Sequence, residues 1–293
     1  MQDITIKKNI ALLNYTTIHI GGNTEFFSQP NTVDEFINLV IWAKENKYEC
    51  RIIGAGSNLL INNRLLKGLT ICTKKLRALK FNPDSGLLEA DCGVMLPNIS
   101  QLLAKYGFNE GDWQIGIPGT VGGAVFMNAG AGNYSIENNL YSVMVIDKEK
   151  LNIFELKKSE INFNYRYSSF QRSKLLILSA KFFFKSRGNS KTIMARTKAN
   201  LRQRTESQPY NQPSFGSVFK NPKNDYAGKI IEESGLKGFQ IGGAEVSKLH
   251  ANFIINNSSA TSKDVLNLIS KIQEKVLQKK GIILKPEVRM MGF

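Results

Sequence analysis

The chain is short of the residues on which much enzyme chemistry is built. It has two histidines, His19 and His250, and three cysteines, Cys50, Cys72 and Cys92, in 293 residues. The cysteines are far apart and outside any CxxC spacing, which excludes a zinc site or disulfide framework as an organising principle; no metal is expected, and the thiols are those of a reduced, cytoplasmic protein. So few histidines leave little chance of a base beside a nucleophilic serine. No run approaches the ~18 apolar residues that span a bilayer, and the opening MQDITIKKN lacks the apolar segment of a secretory signal, so no membrane insertion is expected. Repeats and low-complexity tracts are absent. Acidic residues are in deficit as well: 39 Lys and Arg against 24 Asp and Glu leave a formal charge of +15. That balance favours anionic partners. The densest basic stretch, Lys181 to Arg204, reads in its second half as a helix with Lys191, Arg196, Lys198, Arg202 and Arg204 in solvent. No helix-turn-helix, zinc-finger or RNP-type aromatic pattern accompanies it, and nucleotide ligands account for the charge as well as nucleic acid does.

What is present is a chain with 42% hydrophobic residues, enough for a substantial core. Thr32 and Glu35 announce a first helix with Phe36, Leu39, Val40 and Ala43 on one face. Short strand-like runs follow, and a second helix runs from Pro97 to Gly107, proline in and glycine out. Strands are expected to dominate from Val125 to Phe184. Beyond the polar stretch Gly188–Ser190 come the basic helix, a helix from Asp225 to Gly235, the strand NFIIN and a long helix capped by Thr261 and Asp264. The pattern is α+β, with expected segments 1–75, 76–188 and 189–293.

Two glycine-rich loops stand out. IIGAGSNLL, Ile52 to Leu60, follows a strand, and Gly54 and Gly56 would let backbone N–H groups approach a phosphate. As a Rossmann fingerprint it fails, since the third glycine and the downstream acidic residue are missing. GIPGTVGGAVFMNAGAGN, Gly116 to Asn133, places glycines at 116, 119, 122, 123, 130 and 132 among small alanines. So long a run of small side chains implies that backbone closely approaches something, and a cofactor is favoured over a purely structural loop.

With these loops, the motifs YRYSSF, GSVFKNP, HANFIIN and LKPEVRMMG stand in an order and spacing that resembles the UDP-N-acetylenolpyruvoylglucosamine reductase family, from NYTTIHIGG to the last residues. The resemblance implies a vanillyl-alcohol-oxidase-type FAD-binding fold in two subdomains plus a smaller α+β C-terminal substrate-binding domain. It implies FAD as cofactor, NADPH as hydride donor, and a UDP-sugar enolpyruvyl ether as substrate, in peptidoglycan precursor synthesis. The stretch between Arg166 and Ser217 is too short for an additional tyrosine-bearing loop, so the chain resembles the compact second type; a monomer with no nucleic-acid partner is expected.

Residue by residue, the resemblance assigns Gly54, Gly56, Ser57, Asn58, Pro118, Gly119, Thr120, Gly122, Gly123, Asn128 and Gly130 to FAD. It assigns Arg166, Ser217 and Glu287 to catalysis, and Tyr165, Asn221 and His250 to the substrate. Ser217 would be a general acid and not a nucleophile, so the scarcity of histidine is no objection. Arg166 would grip the substrate carboxylate, and Glu287, to donate a hydrogen bond to it, would have to carry its proton. The chain departs from the family where NAGAGN replaces the commoner NAGAYG, displacing a tyrosine to Tyr134. His19 reads as a structural strand histidine. Two other readings remain open on the residues: another FAD-dependent oxidoreductase of the same cofactor fold, and a basic nucleic-acid-binding protein.

Overall fold

The computed structural model describes residues 4–293. The chain divides into two compact units, each drawn from several stretches. Unit 1 takes the chain up to Lys8, then Phe26–Ala55 and Lys67–Arg202; unit 2 takes Asn9–Glu25, Gly56–Leu66 and Gln203–Phe293.

In unit 1, helix α1 (Val33–Glu45) begins at Thr32, whose hydroxyl accepts the Glu35 N–H at 3.2 Å. The Glu35 carboxylate reaches one residue beyond a standard capping box, to the Asn31 N–H at 2.7 Å. The helix buries Phe36, Leu39, Val40 and Ala43. It connects to Cys50–Ile53, an edge strand of a four-stranded sheet, which pairs in parallel with the inner strand Leu66–Cys72. A five-stranded antiparallel sheet follows, in the order Ile153–Lys157, Leu140–Asp147, Leu175–Phe183, Leu87–Asp91, Leu79–Asn82. Helix α2 (Leu96–Lys105) has Pro97 in its first turn, and Gly107 leaves it at φ +78°.

Strands dominate from Val125 to Phe184 as the sequence suggests, but the end of α3 (Val121–Met127) and the single turn α4 (Ile136–Asn139) lie among them. Both are too short to display a helical period, which is why the pattern hides them. Burial pushes the thiols of Cys50 and Cys92 up to about 12, so they act as small apolar groups. Helix α5 (Ser190–Ser207) carries the basic stretch, and part of its charge is used within the protein. Arg196 pairs with Asp112 and donates to the Asn109 carbonyl at 3.1 Å.

Unit 2 is built on an antiparallel sheet ordered Ser214–Ser217, Phe253–Asn256, Ala244–Val246, Gln240–Ile241. Against it lie α6 (Ala227–Glu233) and α7 (Ser262–Lys280), and Arg289–Met291 pairs in parallel with Leu59–Ile61. Helix α7 turns its stripe Val265, Leu268, Ile269, Ile272 and Val276 into a core with Phe215, Phe219 and Ile254. Its start is a reciprocal cap: Thr261 Oγ1 accepts the Asp264 N–H at 3.1 Å, and Asp264 Oδ2 accepts the Thr261 N–H at 2.9 Å. That backbone donor holds the Asp264 carboxyl below its ordinary range. His19 is not in a strand: it is exposed, at φ +55°, in the loop after the turn Leu12–Tyr15.

Thr261→Ala removes one half of the cap of α7, and a loss of about 1 kcal/mol is expected. Urea unfolding of the flavin-loaded protein measures it; an unchanged midpoint would mean the cap is replaced by solvent at no cost.

Candidate active site

The glycines of the two loops fall into two kinds once the space around each is known. A Cβ on Gly54 would strike the Thr120 hydroxyl, and one on Gly56, at φ +69°, would strike the Tyr15 carbonyl. One on Gly122 would come within 2.9 Å of Cys92 Cβ, and one on Gly130 within 3.0 Å of Ser135. These four are glycine because the protein packs against itself there. Gly119 and Gly123 differ: an added Cβ would meet only Ile117 at 3.8 Å and the Thr120 hydroxyl at 3.6 Å, respectively. Gly123 and neighbouring Pro118 are exposed.

The N–H groups of this loop are largely taken. Val121 donates to the Val94 carbonyl, Gly122 to the Cys92 carbonyl and Ala124 to the Thr120 carbonyl, each at 2.8 Å. Gly123 donates to Thr120 Oγ1 at 3.4 Å. What Gly123 offers a ligand is therefore room for close approach and not a free backbone donor. An open glycine face beside an exposed proline fits a flat, extended cofactor laid along the loop.

Downstream of α3, Asn128 is left-handed at φ +46°, and its amide is a clasp. Nδ2 donates to Glu137 Oε1 and to the Asn164 carbonyl, both at 3.0 Å, while Oδ1 accepts the Glu137 N–H at 3.2 Å. The altered NAGAGN stretch is a hairpin: Gly130–Ala131 pairs with Tyr134–Ser135 around Gly132, at φ +59°, which puts Tyr134 on an exposed strand.

Arg166 sits in a second hairpin, between Phe163–Asn164 and Tyr167–Ser168, at φ +54°. Left-handed backbone in a non-glycine residue costs on the order of 1 kcal/mol or more, so its surroundings must impose it. They do so at both ends of the residue: Nη2 donates to the Gly130 carbonyl at 2.9 Å, and the Arg166 carbonyl accepts from Gln171 Nε2 at 3.3 Å. The guanidinium carbon lies 5.0 Å from the centre of the Tyr165 ring, which is itself exposed. Gln171 and Glu137 escape a reading of the sequence because an amide and a carboxylate outside any motif carry no signal there.

In unit 2, Ser217 ends its strand opposite Phe253. The next carbonyl, that of Val218, accepts the Glu287 N–H at 2.7 Å, and Lys220 N–H donates to the Lys285 carbonyl at 2.9 Å. Asn58 joins the same group: its Nδ2 donates to the Glu287 carbonyl at 3.3 Å, and its own carbonyl accepts the Arg289 N–H at 2.9 Å. Ser57, Ser217 and Glu287 are half-buried. Asn221 Oδ1 accepts the Ala227 N–H at 3.1 Å, at the entry to α6. His250 is turned into the fold: Nδ1 accepts the Asn252 N–H at 3.2 Å, and its ring meets Phe253 edge-on at 4.8 Å. Burial lowers its basicity, so it stands neutral at pH 7. The expected site residues thus fall into two sets. Gly54, Pro118 to Gly123, Asn128, Gly130, Tyr165 and Arg166 lie in unit 1; Gly56, Ser57, Asn58, Ser217, Asn221, His250 and Glu287 lie in unit 2.

Comparison with known proteins agrees over both parts of the chain. Residues 24–150 match the model of an FAD binding domain, and residues 208–291 match that of the UDP-N-acetylenolpyruvoylglucosamine reductase C-terminal domain. The UDP-N-acetylenolpyruvoylglucosamine reductase of Prochlorococcus marinus subsp. pastoris is 60% identical over 293 residues, covering 100% of this chain and 99% of the relative. That of Synechococcus sp. strain RCC307 is 42% identical, covering 99% and 95%. Among solved structures, the UDP-N-acetylenolpyruvylglucosamine reductase of Thermus caldophilus superposes with a TM-score of 0.82 at 29% identity, over 99% of this chain and 100% of that one. 6-Hydroxy-D-nicotine oxidase from Arthrobacter nicotinovorans gives 0.57 at 9% identity, over 96% and 88%, a likeness of fold alone.

The two kinds of glycine separate by experiment. Gly122→Ala forces a methyl against Cys92, and overpacking of this kind destabilises by about 1–3 kcal/mol, more than the ~1 kcal/mol that alanine gains in a helix. Gly123→Ala has room for its methyl, so it unfolds at or above the wild-type temperature yet retains less FAD after gel filtration. Thermal unfolding and flavin absorbance per chain read both; full FAD retention in Gly123→Ala would remove that glycine from the cofactor's path.

Proposed function

The chain belongs to the UDP-N-acetylenolpyruvoylglucosamine reductase family, and on that premise we propose that Ser217, Arg166 and Glu287 carry its chemical step. The reaction reduces UDP-N-acetylglucosamine enolpyruvate to UDP-N-acetylmuramate, a peptidoglycan precursor, at the expense of NADPH. FAD, when bound, supplies the hydride relay, accepting hydride from NADPH and delivering it to the enolpyruvyl group. Pro118, Gly119, Thr120 and Gly123 would hold it in unit 1, with Gly54, Gly122, Asn128 and Gly130 shaping that loop from behind. Gly56, Ser57 and Asn58 belong to the same cofactor-binding set.

Hydride addition at one enolpyruvyl carbon leaves negative charge on the neighbouring carbon and in the carboxylate attached to it. The protein must hold that charge and return a proton. Ser217 supplies the proton from its hydroxyl. A serine hydroxyl is a feeble acid, and it suffices because the carbanion it meets is a strong base. Arg166 grips the carboxylate with its planar fork, and its fixed left-handed backbone sets the direction of that fork. Glu287, carrying its proton, donates to the same carboxylate. Tyr165 and Asn221 contact the substrate, while His250 supports it from within the fold. The observation that supports the assignment is the 2.7 Å hydrogen bond from Glu287 N–H to the Val218 carbonyl, which joins the segments that carry Ser217 and Glu287 within one unit.

In this reading 1–75 and 76–188 are the cofactor-binding subdomains and 189–293 the substrate-binding domain of a cytoplasmic monomer. No helix among the described residues is long and apolar enough to cross a membrane.

Stopped-flow absorbance separates the two half-reactions. Ser217→Ala should bleach with NADPH at the wild-type rate and be reoxidised by the enolpyruvyl sugar roughly 10²–10⁴-fold more slowly, the usual worth of a general acid. Equal loss in both halves would sink the assignment. Arg166→Lys keeps the charge but not the fork and loses about 10- to 100-fold in turnover, the worth of one charge-assisted hydrogen bond. Near-normal turnover would take Arg166 out of the mechanism.

A further inference from the structure

The strand Ser214–Ser217 pairs with Phe253–Asn256 through a bulge: Ser214 faces Ile255 and Ser217 faces Phe253, with Gly216 between them at φ +78°. Beyond Ser217 the regular ladder ends, yet the chain is not released. Val218 N–H donates to the Asn252 carbonyl at 2.8 Å. The next residue is bound twice by the Asn252 side chain: Phe219 N–H donates to Oδ1 at 2.9 Å, and Nδ2 donates to the Phe219 carbonyl at 2.9 Å. The carboxamide thus acts as one more peptide unit of the sheet.

The opposite edge explains why a side chain is needed. Phe219 faces Pro286 in an antiparallel bridge, and the bonds flanking it are made by Val218 with Glu287 and by Lys220 with Lys285. In that pattern the N–H and C=O of Phe219 point away from Pro286 and toward Asn252. All of this is interior: Val218 and Phe219 are 1% exposed and Asn252 4%. A buried backbone pair of this kind must be satisfied, and among side chains of this reach only an asparagine offers an acceptor and two donors on one planar group. Asn252 is itself held, its N–H on His250 Nδ1 at 3.2 Å.

We propose that Asn252 is a positioning residue for proton delivery: its carboxamide holds the segment carrying Ser217 in register with the segment carrying Glu287. This rests on the reading of Ser217 as the proton donor. Ser217 is two residues from the clamped Phe219, and Glu287 hangs from Val218 between them, so release of the clamp shifts donor and acid together. Misplacement by a fraction of a bond length is enough to slow a step that depends on alignment. Binding of FAD and its reduction by NADPH make no use of this alignment.

The test uses the FAD-loaded protein and a double-mutant cycle. Asn252→Asp is nearly isosteric and replaces the donor to the Phe219 carbonyl with an oxygen; Asn252→Ser, smaller and uncharged, is made beside it in case the buried carboxylate prevents folding. Flavin bleaching by NADPH and reoxidation by UDP-N-acetylglucosamine enolpyruvate are followed separately, with and without Ser217→Ala. Expected are wild-type bleaching, reoxidation slowed at least about tenfold, and little further slowing when the change is added to Ser217→Ala, since the two then act through one group. Equal slowing of both halves, or full additivity with Ser217→Ala, would overturn the proposal while leaving Ser217 in place. If Ser217→Ala by itself reoxidises at the wild-type rate, the reading of Ser217 falls and takes this proposal with it.

Discussion

The carbonyl of Val218 accepts the N–H of Glu287 at 2.7 Å, and on its other side the Val218 N–H is held by the Asn252 carbonyl. One residue therefore joins three segments that are far apart in the chain: the loop after Ser217, the HANF stretch and the PEVR stretch. Asn58 extends the join to the first glycine loop by donating to the Glu287 carbonyl. The physical demand behind it is general, since a backbone donor or acceptor carried into an interior must find a partner there. In this unit the groups that meet that demand also fix where a hydroxyl and a carboxyl can stand.

Unit 1 meets a different constraint, that of close approach. Thr120 caps α3, fills the space that a side chain at Gly54 would need, and accepts the N–H of Gly123. Gly122 lies against Cys92, whose thiol burial keeps un-ionised. The loop is rigid because it is packed on its inner side and bonded along its backbone, and its outer side is left bare at Gly119 and Gly123. The same rigidity is passed on through Asn128 to the hairpin of Arg166. A guanidinium on a long, flexible stem is thereby anchored at its backbone and at one nitrogen, which leaves it less conformational freedom to lose.

The excess of basic charge suits an enzyme whose substrates are phosphates and carboxylates. Some of that charge is internal bracing, as in Arg196 with Asp112 and Lys181 with Glu155. The surplus on the surface acts at longer range, raising the local concentration of anionic substrate in a manner that salt weakens.

Much of this protein was legible without coordinates. The caps at Thr32 and Thr261, the stripe of α7, the proline start of α2 and the sheet strands follow from local chemistry, in which each residue's neighbours in sequence are its neighbours in space. Motif order was enough to indicate the family and the cofactor. Other features depended on partners distant in the chain. Nothing near Gly122 says that it faces Cys92, nor that Gly123, one residue on, has room for a methyl. The left-handed backbone of Arg166, the clasp of Asn128 and the clamp of Asn252 on Phe219 likewise depend on carbonyls and amides tens of residues away. Sequence pattern records which groups a segment turns inward and which it leaves to water; only the tertiary structure decides which inward groups meet, because hydrogen bonding and close packing are matched in three dimensions.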